Sequence, residues 1–258
     1  MTLRLFFVAM AALLSSSLAF AQQPVYRFSP VNQWDIPKTA AYWNPIIAYI
    51  SQKSGVQLEL KIGRTSADTT AYVLAQEVEF VFSNHLFSPE RDRLGWKVFG
   101  RRTGPALQGQ IAVLDDSPFR TLQDLKGANV VYAGREAFIG YRLPQAELIN
   151  KGIETNPIFA GNQNAAFAQL LAGRAVAVGS NSALIDGYAE TEGIKFRVLW
   201  TSEPYLDLAL MASSKVPAKD VRAVANAFQN MHKNREGADI LRRASESVGM
   251  DPESHFLS

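Results

Sequence analysis

The sequence predicts an α/β protein of two lobes, each a mostly parallel sheet flanked by helices, the two joined by a pair of hinge strands. Three observations carry this. Short β-rich runs alternate with longer helical runs along most of the chain, and that order builds parallel sheets with crossover helices. Two polar, Pro-containing stretches, Thr103–Leu107 and Ser202–Asp207, read as crossovers between lobes. The chain of 258 residues holds no Cys, so its stability must come from packed cores, and two lobes of ordinary domain size fit the length. The expected division is 22–104 with 206–258 for one lobe and 105–205 for an inserted second.

Residues 1–21 are expected to be a secretory signal peptide. Arg4 supplies the positive start, an apolar run to Leu14 follows, and Ala19-Phe20-Ala21 is a small-x-small cleavage site before Gln22. The run is short for a membrane span, which needs ~20 residues. No Cys follows it, which excludes a lipid-modified N-terminus. Periplasmic export is therefore expected. Without Arg4, 25 Lys and Arg oppose 24 Asp and Glu. That balance gives no drive toward nucleic acid or a membrane surface.

Val25–Val31 alternates and reads as the first strand. Trp43, Ile46, Ile47 and Ile50 share one helical face, with Pro45 predicted to start or kink that helix. Val56–Ile62 is a second strand. Thr65-Ser66 caps a helix over Thr69–Gln76, and Val78–Phe82 is a third strand ending in Ser83-Asn84-His85. Strands at Trp96–Gly100 and Gln110–Leu114 precede a turn at Asp115-Asp116. Three strand-to-helix units come next: Val130–Ala133 with Tyr141–Lys151, Pro157–Ala160 with Asn164–Ala172, and Ala175–Ser180 with Ala183–Ala189. Phe196–Trp200 and Leu208–Ala212 are the last main strands. Val221, Val224, Ala225 and Phe228 mark a final amphipathic helix, and Glu236–Ser258 is a partly helical tail.

The chain carries none of the nucleophile-elbow, phosphate-loop, dinucleotide or zinc-helix motifs. Its three histidines are too scattered for a metal site. No catalytic residue, metal or cofactor is expected. His232 reads as a helix-end residue, His255 as solvated, Asp115-Asp116 as turn chemistry and Arg101-Arg102 as a solvated loop face. A set of polar strand ends remains, where open parallel sheets hold ligands. Asn32 and Gln33; Arg64, Thr65 and Ser66; Ser83, Asn84 and His85; Glu136 through Tyr141; Asn162, Gln163 and Asn164; Ser180 and Asn181; and Tyr205 with Asp207 come from both lobes. Amides and hydroxyls suit reversible recognition, though capping and turn chemistry uses the same residue types.

The stretches YWNPIIAYISQKSG (42–55), LAQEVEFVFSNHLFS (74–88), LDDSPFRTLQDLKGANVVYAG (114–134), GYRLPQAEL (140–148), AGNQNAAFAQLLAGRAVAVGSNSALIDGY (160–188) and VLWTSEPY (198–205) resemble the phosphate/phosphite/phosphonate-binding proteins of ABC importers, within the type II periplasmic binding proteins. The resemblance covers nearly all of the mature chain. It implies export, a ligand held between two lobes by hinge closure and delivery to an inner-membrane ABC permease. A sensory binding protein serving a membrane kinase or chemoreceptor is the alternative, and a biosynthetic enzyme on the same fold is a more distant one. It also implies a Ser-Thr-Ser run before Gly140-Tyr141, where this chain has Ala137, Phe138 and Ile139. A small ligand with an apolar part against Phe138, Ile139 and Tyr141 is therefore expected, in place of a simple phosphonate. Any anionic end would meet Arg64 or the helix start at Ser66. The expected ligand contacts are Asn32, Arg64, Ser66, Ser83, Asn84, His85, Phe138, Ile139, Gly140, Tyr141, Gln163, Asn181 and Tyr205, on a monomer.

Overall fold

The computed structural model describes residues 24–83 and 89–258. The expected signal peptide, Asn84 and His85 lie outside the described residues. Two mixed sheets form the scaffold. The first has the order β11-β4-β10-β3-β1-β2 and the second β7-β6-β8-β5-β9. Their strands are β1 (Val25–Pro30), β2 (Gln57–Leu60), β3 (Phe80–Ser83), β4 (Lys97–Arg102), β5 (Leu107–Leu114), β6 (Asn129–Tyr132), β7 (Asn156–Phe159), β8 (Ala177–Asn181), β9 (Phe196–Tyr205), β10 (Ala209–Ala212) and β11 (Phe256–Leu257). The first sheet thus draws on both ends of the described chain and the second on its middle.

The parallel order expected from the β-then-α alternation holds for three strands in each sheet. These are β2-β1-β3 and β7-β6-β8. β10 runs antiparallel to β3 and β4, and β5 runs antiparallel to β8 and β9. The reason lies in the connections. β5 and β9 adjoin the two passages between sheets, and Leu107 pairs with Tyr205 where they meet. β9 extends past the predicted Phe196–Trp200 into the stretch read as a crossover. Pro204 is accommodated because β9 is an edge strand, with one side free of the ladder.

Helix α1 (Ile36–Ser54) begins earlier than Pro45. Asp35 caps it by accepting from the Lys38 N–H at 2.8 Å, Pro37 occupies the first turn, and Gly55 ends it in the left-handed conformation at φ 71°. Pro45 sits inside the helix on its exposed side, where a freed carbonyl can be hydrated. The opposite face, Trp43, Ile46, Ile47 and Ile50, is buried. Each such side chain contributes ~1.5–3 kcal/mol by leaving water. Trp43 packs at 5.0 Å from both Phe28 and Phe82, and Phe256 from the C-terminal strand joins the same aromatic cluster against Phe228 at 5.0 Å. The tail is thereby part of the first core. It supplies α8 (Arg235–Glu246) and β11, which pack beside the preceding α7 (Ala218–Asn230).

The remaining elements place the strand ends. α2 (Ser66–Leu74) starts at a capping box of Thr65 and Asp68, three residues earlier than predicted. α3 (Pro89–Arg93) is a single short helix. A widened π-type turn, Phe138–Arg142, precedes α4 (Leu143–Asn150). α5 (Gln163–Leu171) is capped by Asn162 and α6 (Ser182–Glu192) by Asn181. His255 is not a solvated tail residue as expected. Its ring nitrogen Nδ1 lies 3.1 Å from the Thr103 hydroxyl, and its ring lies 4.3 Å from that of His232, tilted by 37°. Asp115 remains in its turn beside Arg197, which donates to its backbone carbonyl.

Candidate functional site

The carboxyl ends of β1, β6, β7 and β8 face one crevice, the position where open α/β sheets hold ligands. Two backbone bonds cross it between the sheets' units. The Ser66 N–H donates to Gly161 at 2.8 Å, and the Gln163 N–H donates to Gln33 at 3.2 Å. The lobes are therefore closed on each other. Between them lies a cavity of about 70 Å³. That is far below the ~300–1,000 Å³ of sites for drug-sized ligands and suits a small one.

Of the predicted contacts, the cavity brings together Asn32, Ser66, Phe138, Ile139, Gly140, Gln163 and Asn181. Gln33 and Asp207, both among the polar strand ends, also line it. Arg64, Ser83, Tyr141 and Tyr205 do not. Arg64 is exposed and outside the cavity lining, with its backbone N–H held by Asp68 at 2.6 Å. Ser83 is buried at the end of β3. Tyr205 meets Phe138 edge-on at 5.2 Å. Tyr141 turns into the second core, 4.8 Å from Tyr132 and 5.0 Å from Phe159. Burial, then Tyr141, pushes the Tyr132 hydroxyl pKa up, so it stays neutral.

The π-type turn explains why Phe138 and Tyr141 part company. The Leu143 N–H bonds to Phe138 five residues back, which widens the turn and rotates the residues after it. The turn rests directly on the sheet. A side chain at Gly109 would come within 2.5 Å of the Ile139 carbonyl oxygen, and one at Gly179 within 2.8 Å of that of Gly140. Only glycine at these positions in β5 and β8 lets the backbone sit this close. No side chain caps the turn at Ala137.

Three buried polar atoms of the lining lack a protein partner: Asn32 Oδ1, Ser66 Oγ and Gln163 Nε2. Leaving such an atom unpaired costs ~1–3 kcal/mol, and their convergence from both lobes is the strongest mark of a ligand site. The Asn181 carboxamide oxygen is occupied, accepting from the Leu184 N–H at 2.9 Å. Val31, Leu107, Leu184 and Leu208 complete an otherwise apolar wall. These leucines were not anticipated, because an apolar residue in a sequence reads by default as core.

Arg102 corrects the expectation of a solvated arginine pair. It is 2% exposed, and its Nε donates to Asp207 Oδ2 at 2.6 Å. Its other nitrogens reach Gln33 Oε1 at 3.1 Å and the Tyr42 hydroxyl at 3.4 Å. Burial opposes its charge, but Asp207 and Tyr42 outweigh that and hold its pKa above the ordinary value. The Asp207 carboxylate in the wall is thus neutralised from behind. A larger open groove of about 1,050 Å³ lies on the outer face beside His232 and His255, lined by charges of both signs. It has no counterpart to the three convergent buried atoms. Among the described residues, no group of three or more His, Asp or Glu could hold a metal ion.

Two mixed sheets flanked by helices, joined by antiparallel strands and closed around a cavity at their parallel strand ends, define a type II periplasmic binding protein. The model of the family "ABC transporter, phosphonate, periplasmic substrate-binding protein" matches residues 31–254, and the chain belongs to that family. Its fold is similar to a binding-protein component of an ABC phosphonate transporter from Pseudomonas aeruginosa, at 14% identity over 91% of this chain and 82% of that one, TM-score 0.77. It is also similar to PhnD1 from Prochlorococcus marinus in complex with methylphosphonate, at 13% identity over 91% and 92%, TM-score 0.78. A putative L-cystine ABC transporter protein from Listeria monocytogenes shares 17% identity over 89% and 99%, TM-score 0.63. At these identities the likeness is one of fold. No curated protein matches the chain.

Proposed function

We propose that this chain is exported, cleaved after Ala21, and works in the periplasm as a monomeric, non-catalytic binding protein that hands a small ligand to an inner-membrane ABC permease. The lobes, 22–104 with 206–258 and 105–205, close on the ligand as a hinge. Closure is stabilised to the extent that the ligand touches both lobes. The observation that carries this reading is the convergence of Asn32 Oδ1 and Ser66 Oγ from the first lobe with Gln163 Nε2 from the second. A ligand that pairs all three satisfies groups that, buried and unpaired, cost ~1–3 kcal/mol each.

The ligand is small, carries an apolar part and is not a simple phosphonate. Ala137, Phe138 and Ile139 offer no hydroxyls at the turn, and Phe138 and Ile139 present apolar surface to the cavity. Losing charge-assisted bonds to an oxyanion costs ~1.5–3 kcal/mol each. The test is mass spectrometry of whatever co-purifies with the natively folded protein, paired with a thermal-shift screen. A bound small molecule with an apolar moiety, and little stabilisation by phosphate, phosphite or methylphosphonate, is the expected result. Strong stabilisation by any of those three oxyanions overturns the ligand reading. Turnover of the bound molecule overturns the non-catalytic one.

A further inference from the structure

Asn32 dictates one property of the ligand by its own geometry. Its side chain is 1% exposed, and its Nδ2 donates to the Gly63 carbonyl oxygen at 2.7 Å. A carbonyl oxygen only accepts, so the amide nitrogen must be the atom facing Gly63. The reversed amide would press one acceptor against another. The Asn32 oxygen is therefore the atom turned toward the cavity, where it has no protein partner. It can accept but never donate.

Asp207, beside Asn32 on the first-lobe side, is also acceptor-only, and its two oxygens are engaged by Arg102 Nε at 2.6 Å and the Leu208 N–H at 2.7 Å. The Ser66 hydroxyl, also on the first-lobe side, can donate or accept, and so can the Gln163 carboxamide across the cleft, so neither fixes the polarity of the ligand as Asn32 does. A fully ionised carboxylate or phosphonate set against Asn32 would meet lone pairs with lone pairs. Resting on the reading of the cleft as the ligand site, we propose that Asn32 is a specificity-determining residue. It requires the ligand to present an N–H or O–H to Asn32 Oδ1, so the substrate class is a small carboxamide, alcohol or similar hydrogen donor.

Acetamide and acetate test this directly, because they share a shape and differ in the N–H. Each is titrated into the mature full-length chain, and shifts of the Gly140 and Gln163 amide signals are followed by NMR. Acetamide is expected to bind in the cleft at least about tenfold more tightly than acetate, and Asn32→Leu to remove that advantage by weakening acetamide alone. Acetate binding in the cleft as tightly as acetamide overturns the donor requirement and leaves the cleft reading standing. If neither probe moves the cleft signals, both fall. The comparison in the unaltered protein decides the matter even if the leucine variant does not fold.

Discussion

Arg102 and Asp207 form a buried ion pair, 2.6 Å apart, that bridges the two passages between the lobes. Arg102 ends β4, at the start of one passage, and Asp207 lies in the other, just after β9. The same guanidinium holds the Gln33 side chain at 3.1 Å, while the Gln33 backbone carbonyl accepts from Gln163 across the cleft. Hinge, cleft wall and closure bond are thus tied through one side chain.

Breaking the pair is expected to be costly, because it strands a buried charge. Asp207→Asn should lower stability by ~3–5 kcal/mol in chemical denaturation, and Arg102→Met by a similar amount. Replacing both with apolar residues should recover much of the loss, since neither charge then needs a partner. A double variant no more stable than either single one would show that the pair is not the source of the cost.

Closure itself depends on a close backbone approach at the rear of the hinge. Gly187 in α6 lies so near Gly249 of the first lobe that a Cβ there would overlap the Gly249 carbonyl oxygen. Gly187→Ala should therefore prop the lobes apart. A variant closed only ~10% of the time binds its ligand ~tenfold more weakly. Small-angle X-ray scattering should show a larger radius of gyration for the variant, and an unchanged radius would mean that the two segments slide past each other instead.

Much of this was legible in the sequence, and the exceptions have physical causes. The alternation of strands and helices gave two α/β lobes, and polar strand ends pointed to Asn32, Ser66, Gln163 and Asn181. Tyr141 escaped because residue spacing assumes 3.6 residues per turn, and the Phe138–Arg142 turn is wider. Arg102 escaped because its partner is 105 residues away, and no local pattern marks an arginine that a distant carboxylate will bury. Leu107, Leu184 and Leu208 escaped because apolar side chains do not distinguish a ligand wall from a core. The antiparallel members of each sheet were hidden for a related reason, since pairing direction is set by long-range connection.

Asn181 separates capping from recognition. It lines the cavity, yet its oxygen is spent on the Leu184 N–H at the start of α6. Asn181→Ala should cost ~1 kcal/mol of stability, the ordinary loss of a helix cap. Asn181→Asp keeps the acceptor and should hold stability within a few tenths of a kcal/mol. Ligand affinity in the aspartate variant then reports whether the side chain touches the ligand as well; a large loss there with stability intact would make it a contact and not only a cap.

The His232–His255 contact should make stability fall in mild acid. Burial, then His255 and Lys233, holds the His232 pKa below its ordinary value. The unfolded chain takes up that proton near pH ~6.5 while the folded chain resists it. Stability contributed by the neutral ring is thus present above ~6.5 and is lost as pH falls through the interval down to the folded pKa. Denaturation midpoints measured at about pH 5 and about pH 7.5 should differ, and His232→Asn should shrink that difference. Because His255 is anchored to Thr103 at 3.1 Å, beside the passage between lobes, ligand binding can be followed over the same range to see whether the acid response reaches the cleft. An identical pH slope in the parent and the asparagine variant would assign the acid response to other groups.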